Sequence, residues 1–275
     1  MSDKNKTNKE LLMSLKDVQM NFKQGRSYFH ALHDINLDIY KQDFVCLLGS
    51  SGCGKTSLLN IIAGYVKPTE GTVTFEGRPF NSPTSDVGVV FQQANLFPWL
   101  SVYKNVEFGL QQKKIPAKER KDIVEHYLEM VGLEDARDKL PHQLSGGMRQ
   151  RATIARTLAP DPKFVLFDEP FSALDALTRE KMQEHVKSIW KKSGKSFLFI
   201  THDVDEALIL GQRLVVMQAK PGRIISDYDN PLNKYGDLSA GKLNSASEYW
   251  RTREDLINKI QSEEDVKISK LSLAS

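Results

Sequence analysis

Along the first forty residues apolar and polar side chains alternate. In SLKDVQMNF and INLDIY the alternation has a period of two, which predicts strands with one buried and one wet face. FVCLLG, directly after, is apolar without interruption and predicts a strand buried on both faces. TSLLNIIAG changes the period: Leu58, Leu59 and Ile62 share a helical face, and Gly64 stands where that helix would end. EGTVTFEG reads as turn, strand, turn, and VGVVF as another buried strand. From Pro98 to Pro160 helical spacing dominates, as in KERKDIVEHYLEMVG, where Ile123, Tyr127 and Val131 fall on one face. Strands return in KFVLFDEP and SFLFITHD, on either side of the helical TREKMQEHVKSIWKKSG, and LVVMQA with GRIISDY predicts a closing hairpin. The whole predicts an α/β fold with a mostly parallel sheet, N-terminal antiparallel strands and an inserted helical subdomain.

The same pattern predicts the domain organisation. A polar tail (1–13) precedes a domain over 14–228 with its helical subdomain at about 95–158, and a C-terminal extension follows (229–275). The extension turns polar except for SEYWRTREDLINKI, whose Tyr249, Leu256 and Ile260 share a helical face. At 275 residues the chain can bury a large core without disulfides or structural metal. Lys and Arg total 38 against 35 Asp and Glu, a net charge of +3, and the charges are interspersed, which argues against a dedicated nucleic-acid binder. Cys46 and Cys53 stand without companions, so neither a disulfide framework nor a zinc site is supported. No run approaches the roughly 18 apolar residues of a membrane span, and the polar start MSDKNKTNKELL has no export signal, so a cytosolic protein is expected.

Chemistry concentrates at a few places. Gly49-Ser50-Ser51-Gly52-Cys53-Gly54-Lys55-Thr56 matches G-x-x-x-x-G-K-[ST] between a buried strand and a helix. Its glycines let successive backbone amides turn inward around phosphate oxygens, and the helix start adds its positive dipole end. Lys55 would reach the outer phosphates of a nucleotide, and the Thr56 hydroxyl would ligate Mg²⁺. At a second strand end, FVLF runs into Asp168 and Glu169. Alone, such a carboxylate pair would be a solvated turn. Beside a phosphate loop, Asp168 is placed to hold Mg²⁺ through water and Glu169 to take a proton from an attacking water. Ser145-Gly146-Gly147 opens a further helix and makes a second anion-binding device. One nucleotide has one triphosphate, so this second device is read as serving a nucleotide held by another copy.

Taken together these residues resemble the ATP-binding subunit of an ABC transporter. The resemblance rests on GSSGCGKT, Gln92 after VGVVF, the signature LSGGMRQR, FVLFDEP, Ser172-Ala173-Leu174-Asp175, and Thr201-His202-Asp203, in the family's order, over about residues 14–225. It implies a homodimer that sandwiches two ATP molecules. Each would lie between the Gly49–Ser57 stretch of one chain (Ser57 included) and Ser145, Gly146, Gly147 and Gln150 of the other. Gln92 would join Thr56 and Asp168 around Mg²⁺. His202 would contact the γ-phosphate beside Glu169 and Lys55, and Asp175 would cross the dimer interface. Phe22 falls where the family stacks an aromatic ring on adenine, with Tyr28 and Phe29 as rivals because the loop FKQGRSYFHAL is long. Gln42-Asp43 replaces the family's usual Gly-Glu at a turn outside the site, with no effect on chemistry expected.

LFPW, SVYKNVEFGL, ALDALTREKMQ and AKPGRIIS are similar to the nitrate/sulfonate/taurine branch of importers. That similarity implies uptake of a small, often anionic solute, with permease subunits and an extracytoplasmic solute-binding protein as partners. The chain would then sit on the cytoplasmic face of the membrane. Phe97 and Trp99 are expected either in the groove that receives the permease or packed inside the helical subdomain. An importer for a vitamin precursor and a non-transport ABC ATPase remain the alternatives.

Overall fold

The period-two alternation at the start of the chain produces two long antiparallel strands, β1 (Leu11–Gln24) and β2 (Ser27–Tyr40). Leu12, Met13, Leu15 and Val18 of β1 are buried with Leu32, Ile35, Leu37 and Ile39 of β2. The structure, a computed structural model, describes residues 9–25, 27–172, 174–236 and 247–261. These divide into two compact units, Met1–Pro83 with Leu198–Ser275, and Thr84–Phe197. No helix among the described residues is long and apolar enough to cross a membrane.

In the first unit, β1 and β2 join β4 (Glu70–Phe75) and β5 (Arg78–Pro79) in an antiparallel sheet of order β2-β1-β4-β5. A second sheet is built around β3 (Phe44–Gly49), in which all six residues are buried, as its unbroken apolar run requires. β3 lies between β8 (Ser196–Thr201) and β9 (Arg213–Gln218), is parallel to β9, and β10 (Arg223–Asp229) closes antiparallel on β9. The helices are α1 (Lys55–Ile62), the short α6 (Val204–Leu210) and α7 (Ser247–Gln261). Gly64, at φ +76° just beyond α1, ends that helix as expected. FKQGRSYFHAL is not a loop. Its Phe22–Gln24 belong to β1 and its residues from Ser27 onward to β2, with Phe22 opposite Phe29, because aromatic residues favour cross-strand pairing.

The second unit holds the parallel strands β6 (Val87–Val90) and β7 (Phe164–Asp168) with α2 (Val102–Gln112), α3 (Ala117–Met130), α4 (Gly146–Leu158) and α5 (Ala176–Ser193). β6 is less buried than its sequence predicts. Only Val90 is fully enclosed, because β6 is the last strand of its sheet. In α3 the buried stripe is Val124 and Leu128, continued by Val131, while Ile123 and Tyr127 are half-buried. The aliphatic i, i+4, i+7 row carries no polar atom to the interior. Tyr127 would carry a hydroxyl, and its partial burial already pushes that group up to about 12.

Asp43, read as a turn residue outside the site, is 2% exposed. It accepts hydrogen bonds from the Tyr40 amide (3.2 Å) and Lys9 Nζ (2.7 Å) and lies 3.6 Å from Arg213. Arg213 also grips Asp227 through Nε (2.5 Å) and Nη2, and donates Nη1 to the Asp38 carbonyl (2.6 Å). One guanidinium therefore ties β2, the turn before β3, β9 and β10 together. Arg213→Ala would leave Asp227 without its two-pronged partner and Asp43 with only Lys9 and the Tyr40 amide, at a cost of about 1–3 kcal/mol. The thermal unfolding midpoint should fall by several degrees. Arg213→Lys should recover only part of the loss, since an ammonium cannot make the two-pronged contact.

Candidate functional site

The phosphate loop leaves the buried strand β3 at Gly49, turns through Gly52 (φ +79°) and Gly54 (φ +97°), and enters α1 at Lys55. Both backbone angles suit glycine. Space is equally tight. A Cβ on Gly49 would lie 2.5 Å from Cys53 Sγ and 2.8 Å from the Met217 carbonyl. The Cys53 thiol thus packs under the loop, as a core cysteine does. Lys55 is only 6% exposed, and its ammonium donates to the carbonyls of Gly49 (2.7 Å) and Ser50 (3.1 Å). Thr56 and Ser51 are exposed beside it, and Ser57 is half-buried. Two neighbours brace the loop. The Gly222 amide donates to Ala31 O (3.0 Å) and the His33 amide to Gly222 O (2.9 Å), which clips β2 to the turn before β10.

β8 lies beside β3 in this sheet, and the exposed His202 follows its last residue, Thr201. Polar bonds bracket that position. The Asp203 amide donates to Thr201 Oγ1 (3.0 Å), which itself donates to the buried Glu206 (2.7 Å). Asp203 caps α6, accepting from the amides of Asp205 (2.9 Å) and Glu206 (3.2 Å). Phe22, Tyr28 and Phe29 are all exposed on the β1–β2 hairpin, so all three stay available for stacking.

In the second unit Val90 pairs with Phe167, so Gln92 and the Asp168–Glu169 pair leave neighbouring parallel strands at the same end. Ser172 links them: Gln92 Nε2 donates to its Oγ (3.0 Å), and that hydroxyl donates to Glu169 O (3.0 Å). Glu169 sits at φ +43°, a strained conformation for a residue that carries a Cβ, and Phe171 beyond it is buried. Ser172 was legible in the sequence only as part of a motif. Within this unit Gln92 and Asp168 offer amide and carboxylate oxygens, donors that suit a hard cation such as Mg²⁺. Gln92 commits its Nε2 to Ser172, which leaves its amide oxygen for such a role.

Ser145 is exposed and caps α4, its Oγ accepting from the Met148 amide (3.2 Å). The amides of Gly146 and Gly147 belong to that first turn, where a helix has no acceptors of its own. A cavity of about 420 Å³ opens beside them, lined by Ser145, Gly147, Arg151, Lys181 and His185 among others. Its cations suit an anion. His185 is held below the usual imidazole range by burial and by Arg151 and Lys192. Gln150 is placed differently from Ser145–Gly147. It is 4% exposed, with its amide 3.5 Å from the Phe91 carbonyl, on the side of α4 that also buries Thr153 and Ile154. Asp175 is exposed and caps α5. Its bonds from Thr178 hold the carboxyl below the usual range.

The tightest backbone approach in the loop's surroundings is at Gly222, where a Cβ would lie 2.3 Å from Cys53 O. Gly222→Ala should push the phosphate loop off its support. ATP affinity by fluorescence titration should drop, and stability should fall by about 1–3 kcal/mol.

Comparison with known proteins identifies the family. The family model described as ABC transporter matches residues 32–172. The taurine import ATP-binding protein TauB of Roseobacter denitrificans is 44% identical over 250 residues, covering 90% of this chain and 93% of that protein. TauB of Pelagibacter ubique is 46% identical, covering 86% and 89%. Among solved structures, the dimeric post-hydrolysis ATP-binding cassette MJ0796 with ADP and Pi matches at TM-score 0.71 and 36% identity, covering 79% of this chain and 98% of that one. The cbiO1 cassette of Clostridium perfringens, part of the cbiONQ complex, matches at TM-score 0.74 and 28% identity, covering 89% and 98%. With an α/β fold of the phosphate-loop type, this chain belongs to the ABC transporter family of ATP-binding ATPases.

Proposed function

We propose that this chain is the ATPase subunit of a membrane importer for a small anionic solute of the sulfonate type. It would work as an ATP-sandwich homodimer on the cytoplasmic face of the membrane, bound to permease subunits and served by an extracytoplasmic solute-binding protein. The observation that carries the reading is the phosphate loop closed around Lys55, in a chain whose relatives named for taurine import match nearly end to end.

In this reading Gly49–Ser57 holds the triphosphate through backbone amides, and Lys55 supplies charge to the outer phosphates. Thr56, Gln92 and Asp168 hold Mg²⁺, which neutralises phosphate charge when bound. Glu169 accepts the proton of the attacking water, with His202 holding water and γ-phosphate in line. Ser145, Gly146 and Gly147 present their donors to the partner's nucleotide, and Asp175 crosses to the partner. Buried Gln150 supports the helix instead. Phe22 stacks on adenine.

The permease would dock on the helical unit. There Phe97 lies against Phe108 (4.6 Å) and Trp99 (5.7 Å) with Arg156 over its ring (5.4 Å), while Trp99 is 73% exposed. Asn105, fully buried, holds this turn by bonding the amide of Phe97 (2.8 Å) and the carbonyls of Leu100 (2.9 Å) and Ser101 (3.0 Å).

Glu169→Gln keeps the shape and removes the base. Turnover should fall by about 10²–10⁴-fold with ATP affinity held, and an ATP-bound dimer should accumulate on gel filtration. Lys55→Ala should weaken binding and turnover together. Near-normal turnover in Glu169→Gln would move the base to His202.

Ser145→Ala should abolish hydrolysis with monomer ATP binding intact, and mixing it with Lys55→Ala should restore one composite site per heterodimer. Loss of monomer ATP binding in Ser145→Ala would refute the two-chain site. The solute is tested by reconstituting the chain with its permease and binding protein. Taurine should raise the ATPase rate where nitrate and pyrimidines do not.

A further inference from the structure

α6 is seven residues long, too short to hold its place by its own hydrogen bonds. Residues after β10 hold both of its ends. At the C-terminal end the buried Asn230 donates Nδ2 to the carbonyls of Leu208 (2.9 Å) and Gly211 (2.7 Å). At the N-terminal end the first-turn carboxylate of Asp205 receives the Tyr249 hydroxyl (2.5 Å) on Oδ1. It also receives Arg253, through Nε on Oδ1 (2.8 Å) and Nη2 on Oδ2 (3.3 Å). Tyr249 and Arg253 stand one turn apart on α7, on the face that also buries Thr252 and Leu256.

The Arg253 contact is a two-pronged, charge-assisted pair, the kind that fixes direction as well as distance. Tyr249 is 2% exposed and its hydroxyl is pushed well up, by burial and by Asp205. Asp205 is tied in turn to the position of His202. Its own amide bonds Asp203, the cap of α6, and Asp203's amide bonds Thr201, so His202 is the residue between two anchored neighbours.

The geometry points to Tyr249 and Arg253 as positioning residues for His202: by clamping Asp205 they set where α6 begins, and hence how His202 is presented from the end of β8. The inference rests on the role given to His202 above and adds to it that the C-terminal helix is part of the hydrolytic apparatus. A displacement of about 1 Å at such a residue can cost up to 10²-fold in rate.

The test uses full-length Arg253→Ala, Tyr249→Phe and Asp205→Asn, with Arg253→Lys as the conservative variant. The kcat for ATP should fall about tenfold in the first three, with the KM for ATP within about twofold and a partial return in Arg253→Lys. Tyr249→Phe keeps the buried ring, so its loss should come without a large drop in melting temperature. In a His202→Ala background, where residual turnover is followed with labelled ATP, the same substitutions should cost nothing further.

Wild-type kcat in both Arg253→Ala and Tyr249→Phe, beside an inactive His202→Ala, overturns the inference alone. So does a loss of equal size with and without His202, which is the signature of a merely structural helix. Wild-type turnover in His202→Ala overturns the role given to that residue and this inference with it.

Discussion

An ammonium group that is almost fully buried must have oxygen partners, and Lys55 finds them in the carbonyls of Gly49 and Ser50. The loop between β3 and α1 is thus folded around its own cation. That constraint dictates what surrounds it. β3 must end at a residue without a side chain, because Cys53 and Met217 fill the space a Cβ would need at Gly49. Gly54 has no room either, since a Cβ there would lie 2.7 Å from Leu32 Cδ2. The alternating strand β2 and the closing β9–β10 hairpin are the walls of the loop as much as parts of two sheets.

The second unit handles its acidic pair by a different device. Glu169 is held through hydrogen bonds to its backbone. Its φ is positive, and the Ser172 hydroxyl and amide both donate to its carbonyl. Because the same hydroxyl accepts Gln92, a change at Gln92 reaches Glu169 through one oxygen atom. A family reading treats Gln92 and Glu169 as separate motifs; here they share a partner within their own unit.

The local elements were legible because each rests on a short periodic signal. The unbroken FVCLLG, the 3.6-residue spacing of LLNII and the glycine pattern before Lys55 depend on residues close in sequence. What stayed hidden depends on distant partners. Nothing around Asp43 announces that Arg213, far along the chain, will bury it. The end position of β6 follows from sheet order, which VGVVF does not encode. FKQGRSYFHAL reads as a loop, yet Phe22 and Phe29 pair across the two strands. The face of α3 was misjudged because Tyr127 was counted as apolar. Gln150 stands with the signature in the sequence, although its amide lies against the carbonyl of Phe91, a residue far back along the chain.

Several motif residues also do structural service. Ser145, Asp175 and Asp203 each accept a backbone amide at the start of a helix, namely α4, α5 and α6. An N-cap is worth about 1 kcal/mol, so each of these residues places a helix start as well as any group it offers to a nucleotide. The two roles are physically continuous: the cap that satisfies one amide of the first turn orients the remaining amides, and those are the donors an anion meets. For Asp203 the chain of consequence is longer. The helix it caps is too short to stand alone and is held at its two ends by Asn230 and by Asp205's partners. His202 therefore depends on residues more than forty positions further along the chain, which no local motif describes.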